Sequence, residues 1–102
     1  MSRQRRPRTL PFDAAAFLDS DEAVAAYLDD ALETGDAAFV AHALGTIARA
    51  RGMADLARRT GLSRESLYKA LSADGNPEFA TVLKVVRALG LSLTVQAAPA
   101  AG

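Results

Sequence analysis

The sequence predicts a small, mainly α-helical domain of five helices closed by a short C-terminal β-strand. Three observations predict it. Apolar residues recur at helical spacing through residues 21–34, 37–50 and 78–89. Residues 53–72, MADLARRTGLSRESLYKALS, hold two short helical runs hinged on a glycine, the pattern of a helix-turn-helix. Residues 91–95, LSLTV, alternate apolar and polar at period two, which is a strand signal.

The elements follow in order. Residues 1–8 are polar, rich in arginine and broken by Pro7, the composition of a flexible arm. Residues 9–12 read as a short extended entry, because Pro11 keeps Leu10 out of the α region, and Asp13 caps a helical turn running to Leu18. Ser20 is placed to cap the first full helix, with Asp21 and Glu22 in its first turn, where the helix dipole favours acids. Val24, Tyr27, Leu28, Ala31 and Leu32 form its apolar stripe, with Asp29, Asp30 and Glu33 on the other side. Gly35 ends that helix and Asp36 caps the next, which turns Val40, Leu44, Ile47 and Ala48 inward and stops at Gly52.

The helix-turn-helix comes next, and each residue type in it has a physical job. Ala57 is small and lets the following helix cross closely. Gly61 can take the left-handed conformation that ends a helix tightly. Leu62 plugs the turn into the core, and Ser63 caps the second helix, whose Leu67 and Leu71 face inward. That leaves Arg64, Glu65, Ser66, Tyr68, Lys69 and Ser72 facing away from the core, able to reach phosphates or base edges of a DNA major groove. Tyr68 has two options, packing inward or touching DNA. Arg58 and Arg59 add positive charge on the preceding helix. A helical hairpin with no ligand is the plainer alternative. Asn76 is the expected N-cap of the last helix with Pro77 at its first position, and Phe79, Val82, Leu83, Val86 and Leu89 face inward. The strand at 91–95 must pair with another chain or with residues 9–12, and Leu91, Leu93 and Val95 share its apolar face. The domain organisation is therefore an arm over 1–8, one helix-turn-helix domain over 9–96 and a small-residue tail over 97–102.

The composition excludes several function classes. The 102 residues suffice for one domain, and half of them are hydrophobic, enough for a real core. There is no cysteine, so disulfides and thiolate metal sites are out and a cytoplasmic compartment is expected. The uncharged runs are too short or too broken to span a bilayer, so no membrane is expected as a partner. The net charge of zero hides a division. Arg3, Arg5, Arg6 and Arg8 stand in the arm without an acid. Asp13, Asp19, Asp21, Glu22, Asp29, Asp30, Glu33 and Asp36 then follow without a base. The remainder is basic again, which suits a chain that meets more than one electrostatic surface. No catalytic constellation stands out. His42 is the only histidine and lacks an oriented partner, so packing or surface display explains it better than acid–base work. No metal, no cofactor and no enzymatic activity is expected.

One resemblance covers residues 9–96. TLPFDAAAFL, an acidic helix, GTIARARGM, LARRTGLSRESLYKALS, GNPEFATVLKVVRALGL and LTV stand in one order. This order resembles the addiction-module antidote proteins, HigA-like antitoxins with an XRE, lambda-repressor-like helix-turn-helix. The combination of RESLYKALS with GNPEFAT is specific, whereas a bare LA-x-x-x-G-L-S match is weak. The resemblance implies a lambda-repressor-like fold and an antitoxin that neutralises a RelE/ParE-superfamily toxin encoded beside it. It also implies repression of its own operon, with operator DNA met at Ser63, Arg64, Glu65, Tyr68 and Lys69. It supports no role for the arginine arm and marks no toxin-contacting surface. From charge alone, Asp29, Asp30 and Glu33 are the candidate toxin contacts, since such toxins are typically basic. Leu91, Leu93 and Val95 are the candidate contacts of a homodimer. The alternatives are a stand-alone XRE-type regulator without a toxin and an interaction module that has lost DNA binding.

Overall fold

A computed structural model describes residues 18–72 and 74–99. The arm, the entry segment and all but the last residue of the expected turn up to Leu18 lie outside the described residues. Five helices follow one another: α1 (Asp21–Glu33), α2 (Ala37–Arg51), α3 (Met53–Thr60), α4 (Arg64–Ala70) and α5 (Phe79–Ala88).

The starts of three helices are fixed by local chemistry. The Ser20 hydroxyl accepts from the backbone N–H of Ala23 at 3.1 Å, and Asp36 accepts from those of Ala38 and Phe39. Ser63 accepts from that of Ser66 at 3.0 Å. Each bond satisfies an N–H that the first helical turn leaves without a partner. Gly61 adopts φ 76°, and its N–H returns to the Ala57 carbonyl at 2.9 Å, ending α3. At the end of α5, Gly90 donates to Arg87 and Leu91 donates to Val86, the paired bonds of a Schellman ending.

The helices wrap one core. α2 packs against α1, α3 and α4, and α5 packs against α3. Val24, Leu44, Ile47, Leu67, Leu71, Val85 and Val86 are its largest fully buried side chains. Burying a Leu, Ile or Val in full stabilises by about 1.5–3 kcal/mol. This set therefore decides whether the fold exists, against the exposed Arg51–Asp21 pair at 2.9 Å, worth about 0–1 kcal/mol. Tyr27, Val40, Ala57, Leu62 and Val82 are partly buried against the core, as their spacing predicts.

Four expectations are corrected. No β-strand forms among the described residues, and 91–99 has no ladder partner there. A strand exists only through its neighbour, and alternation in sequence supplies none. Leu91 is in addition taken up by its own helix ending and packs on the core. Helix α5 starts two residues late: its N-cap is Glu78, and Asn76 and Pro77 lead into it. Glu78 itself has extended backbone (φ −64°, ψ 152°), so the first helical residue is Phe79. Lastly, Leu32 is 43% and Phe79 68% exposed. Leu32 lies in the last turn of α1, and Phe79 is the first residue of α5. At such ends the stripe runs past the neighbour that would cover it.

Two glycines allow close approaches that composition did not signal. A Cβ on Gly45 would collide with the Leu71 carbonyl, so α2 and the end of α4 meet backbone to side-chain-free backbone. A Cβ on Gly75 would collide with the carbonyls of Ala70 and Lys69, so the chain after α4 folds back over its end.

Candidate nucleic-acid interface

The site is α4 and the residues that hold it. Leu67 is fully buried, and Leu71, one turn on, is nearly so. These two anchors fix the rotation of α4 and leave Arg64, Glu65, Ser66, Tyr68 and Lys69 exposed. Tyr68 is 46% exposed, so of its two options the structure takes the outward one. Ser72 departs from expectation. It is half-buried, and its hydroxyl donates to the Lys69 carbonyl at 3.1 Å.

The polar groups differ in what they have left to offer. The Ser63 oxygen accepts from the Ser66 N–H, and its hydroxyl donates to the Ser66 oxygen at 2.9 Å. Ser63 is thereby spent on positioning. Ser66 keeps its own hydroxyl hydrogen for a ligand. The turn is braced by Thr60, whose hydroxyl donates to the Leu56 carbonyl at 2.8 Å and whose oxygen accepts from the Leu62 N–H at 3.2 Å.

Charge is arranged as well. Asp55 holds both arginines of α3: Arg58 through one carboxylate oxygen and Arg59 through the other, at 2.8 Å. Sequence reading missed this clamp, although the i,i+3 and i,i+4 spacing announces it. Arg58 is therefore partly neutralised, whereas Arg64 and Lys69 have no ion pair among the described residues. Glu65 sits in the first turn of α4, where the dipole favours an acid. The face thus combines an exposed Arg and Lys, one free hydroxyl, one aromatic ring and one carboxylate. That set can bind phosphate and hydrogen-bond a base edge. Among the described residues no group of His, Cys, Asp or Glu is placed to hold a metal ion.

The other candidate residues lie elsewhere. Asp29, Asp30 and Glu33 are exposed on α1. Asp29 borders a cavity lined by α1, α5 and residues 91–94, to which neither α3 nor α4 contributes. Leu93 and Val95 are exposed, the latter 99%, while Leu91 is not brought to the surface with them. His42 is exposed on α2, where its carbonyl accepts from the Thr46 hydroxyl. No helix among the described residues is long and apolar enough to cross a membrane.

Comparison with known proteins gives a family. The family described as "Probable addiction module antidote protein" matches residues 8–97. A protein of Haemophilus influenzae, named only "Uncharacterized protein", is 52% identical over 85 residues, covering 83% of this chain and 88% of that protein. No solved structure matches.

Proposed function

Since the chain belongs to the addiction-module antidote family, we propose that it is the antitoxin of a type II module, binding a RelE/ParE-superfamily toxin directly and repressing its own operon. The observation that carries the DNA-binding part is the outer face of α4, where Arg64 and Lys69 stand exposed beside Ser66 and Tyr68. In this reading α3 and α4 form a helix-turn-helix of the XRE, lambda-repressor-like kind, and α4 enters the major groove. Arg64 reads a guanine edge, Lys69 meets phosphate, and Ser63 and Arg58 hold position. The arginine arm follows the backbone without choosing sequence.

The toxin meets the acidic side. Asp29, Asp30 and Glu33 raise its capture rate, since complementary charge acts chiefly on association. Val95 supplies the apolar contact of a homodimer, whose two-fold axis matches a palindromic operator, while Leu93 lines the cavity that Asp29 borders. The setting is the cytoplasm, where ribosomes and operator are found.

The test is an electrophoretic shift assay on the DNA upstream of this reading frame, with and without the purified product of the adjacent toxin-sized frame. Salt-dependent retardation of the upstream DNA, and a further shift with toxin, are expected. A chain that retards no DNA at low salt would falsify the repressor role. Toxin association followed across a salt series should slow strongly at low salt when Asp29, Asp30 and Glu33 are all changed to Lys. Equal rates for this variant and wild type would move the acidic contact elsewhere.

A further inference from the structure

A second surface lies apart from α4, and its chemistry is different. Two cavities of about 320 and 330 Å³ share Leu28, Leu32, Val86 and Leu93 and so lie side by side as the two parts of one cleft-bearing face. Its lining comes from α1, α2, α5 and residues 91–94, together with Asn76 and Pro77. No residue of α3 or α4 lines it. Three of the large apolar side chains that the described residues leave exposed, Leu32, Phe79 and Leu93, all stand on this cleft.

The surround is acidic. Asp29 lines the cleft. Glu33, Asp36 and Glu78 are exposed and directly adjoin the lining residues Leu32, Gly35, Ala37, Pro77 and Phe79 in sequence, against one base placed likewise, Arg87 beside Val86, so the balance is negative. No lysine or arginine lines either cavity. An apolar trough with a negative rim selects a ligand with apolar anchors and positive flanks.

We propose that this cleft is the toxin-docking site, and that its occupant is an amphipathic basic segment of the toxin with its apolar side chains laid between Leu32 and Phe79. The proposal rests on the antitoxin reading and names the surface that performs it. Leu32 and Phe79 supply the affinity, because desolvated apolar anchors dominate interfaces. The acids around them supply attraction at a distance and reject the DNA backbone. A second copy seated cleft to cleft would bring the acids of both chains together, which disfavours it.

The test uses full-length protein and the purified product of the adjacent toxin-sized reading frame, with affinity measured by titration calorimetry. Leu32→Ala and Phe79→Ala leave the charge unchanged. Each should weaken binding at least tenfold, with DNA retardation and sedimentation unaltered. Phe39→Ala is the control, since Phe39 is 47% exposed on α2 but lines neither cavity. It should bind as wild type. Wild-type affinity in both cleft variants would overturn the docking site while leaving the antitoxin reading intact. Failure of the wild type to bind would instead remove the antitoxin reading itself. A fall in sedimenting mass in the cleft variants would assign the cleft to a second copy and overturn the proposal.

Discussion

The surface of α4 and the cleft between α1, α2 and α5 are opposites. The first is polar, with net positive charge, and every bond that shapes it lies within a few residues of sequence: Ser63 to Ser66, Thr60 to Leu62, Asp55 to Arg58 and Arg59. The second is apolar with an acidic surround, and it gathers residues from 28 to 94. A local surface is written in consecutive residues and can be read from them. A surface lined by three helices exists only after they pack. One molecule carrying both can treat two oppositely charged partners separately, provided that damage to one surface spares the other.

The largest expected effect breaks both. Leu67→Ala removes a fully buried anchor of α4 and should cost about 2–5 kcal/mol. Urea denaturation would show it as a lowered midpoint with an unchanged slope. A loss under 1 kcal/mol would mean that α4 is held by something other than its core contact.

Arg64→Ala should act on the α4 face alone. Specific DNA binding should weaken by about 1–3 kcal/mol and lose discrimination at one base pair, if the side chain reads a guanine. Toxin affinity should not change. A competition assay with single-base operator variants separates this from a phosphate contact, which would weaken all sequences alike.

Ser63→Ala tests how far α4 depends on its cap. About 0.5–2 kcal/mol of stability should be lost, since the Ser66 N–H loses its acceptor. Amide exchange should quicken at the start of α4 and not in α1, whose cap is a separate Ser20.

Smaller again, and opposite in sign for DNA, is Asp55→Asn. Releasing Arg58 and Arg59 should raise non-specific DNA affinity and steepen the salt slope by about one to two units. An unchanged slope would show that neither arginine lies near the backbone. The smallest effect is Arg51→Ala. It breaks the exposed Arg51–Asp21 pair between α2 and α1 and should move the urea midpoint by no more than about 1 kcal/mol allows.

The same contrast explains what the sequence disclosed. The caps at Ser20, Asp36 and Ser63 and the left-handed Gly61 were legible because each acts on atoms at most four residues away. The apolar stripes located most of the core for the same reason. They misplaced Leu32 and Phe79, because a stripe shows which face is apolar and not where its cover ends. The strand at 91–95 is not seen among the described residues, for a related reason: alternation describes one chain, and pairing needs two. The outward turn of Tyr68 was undecidable until Leu67 and Leu71 fixed the rotation of α4. The cleft could not have been read at all, since residues 28, 79 and 93 come to line one cavity only in the folded chain.

Gly45 has one further consequence. It sits inside α2, where glycine is unfavourable by about 1 kcal/mol relative to alanine. Alanine there would meet the Leu71 carbonyl. The missing methyl group thus acts as a spacer of zero thickness, and it sets how far α4 stands off the rest of the molecule. Any side chain at 45 would lift the far end of α4 and alter its pitch. In a helix proposed to reach into a groove, pitch decides which base pairs its side chains can touch. A substitution with no atom near the ligand could therefore change the sequence that is recognised.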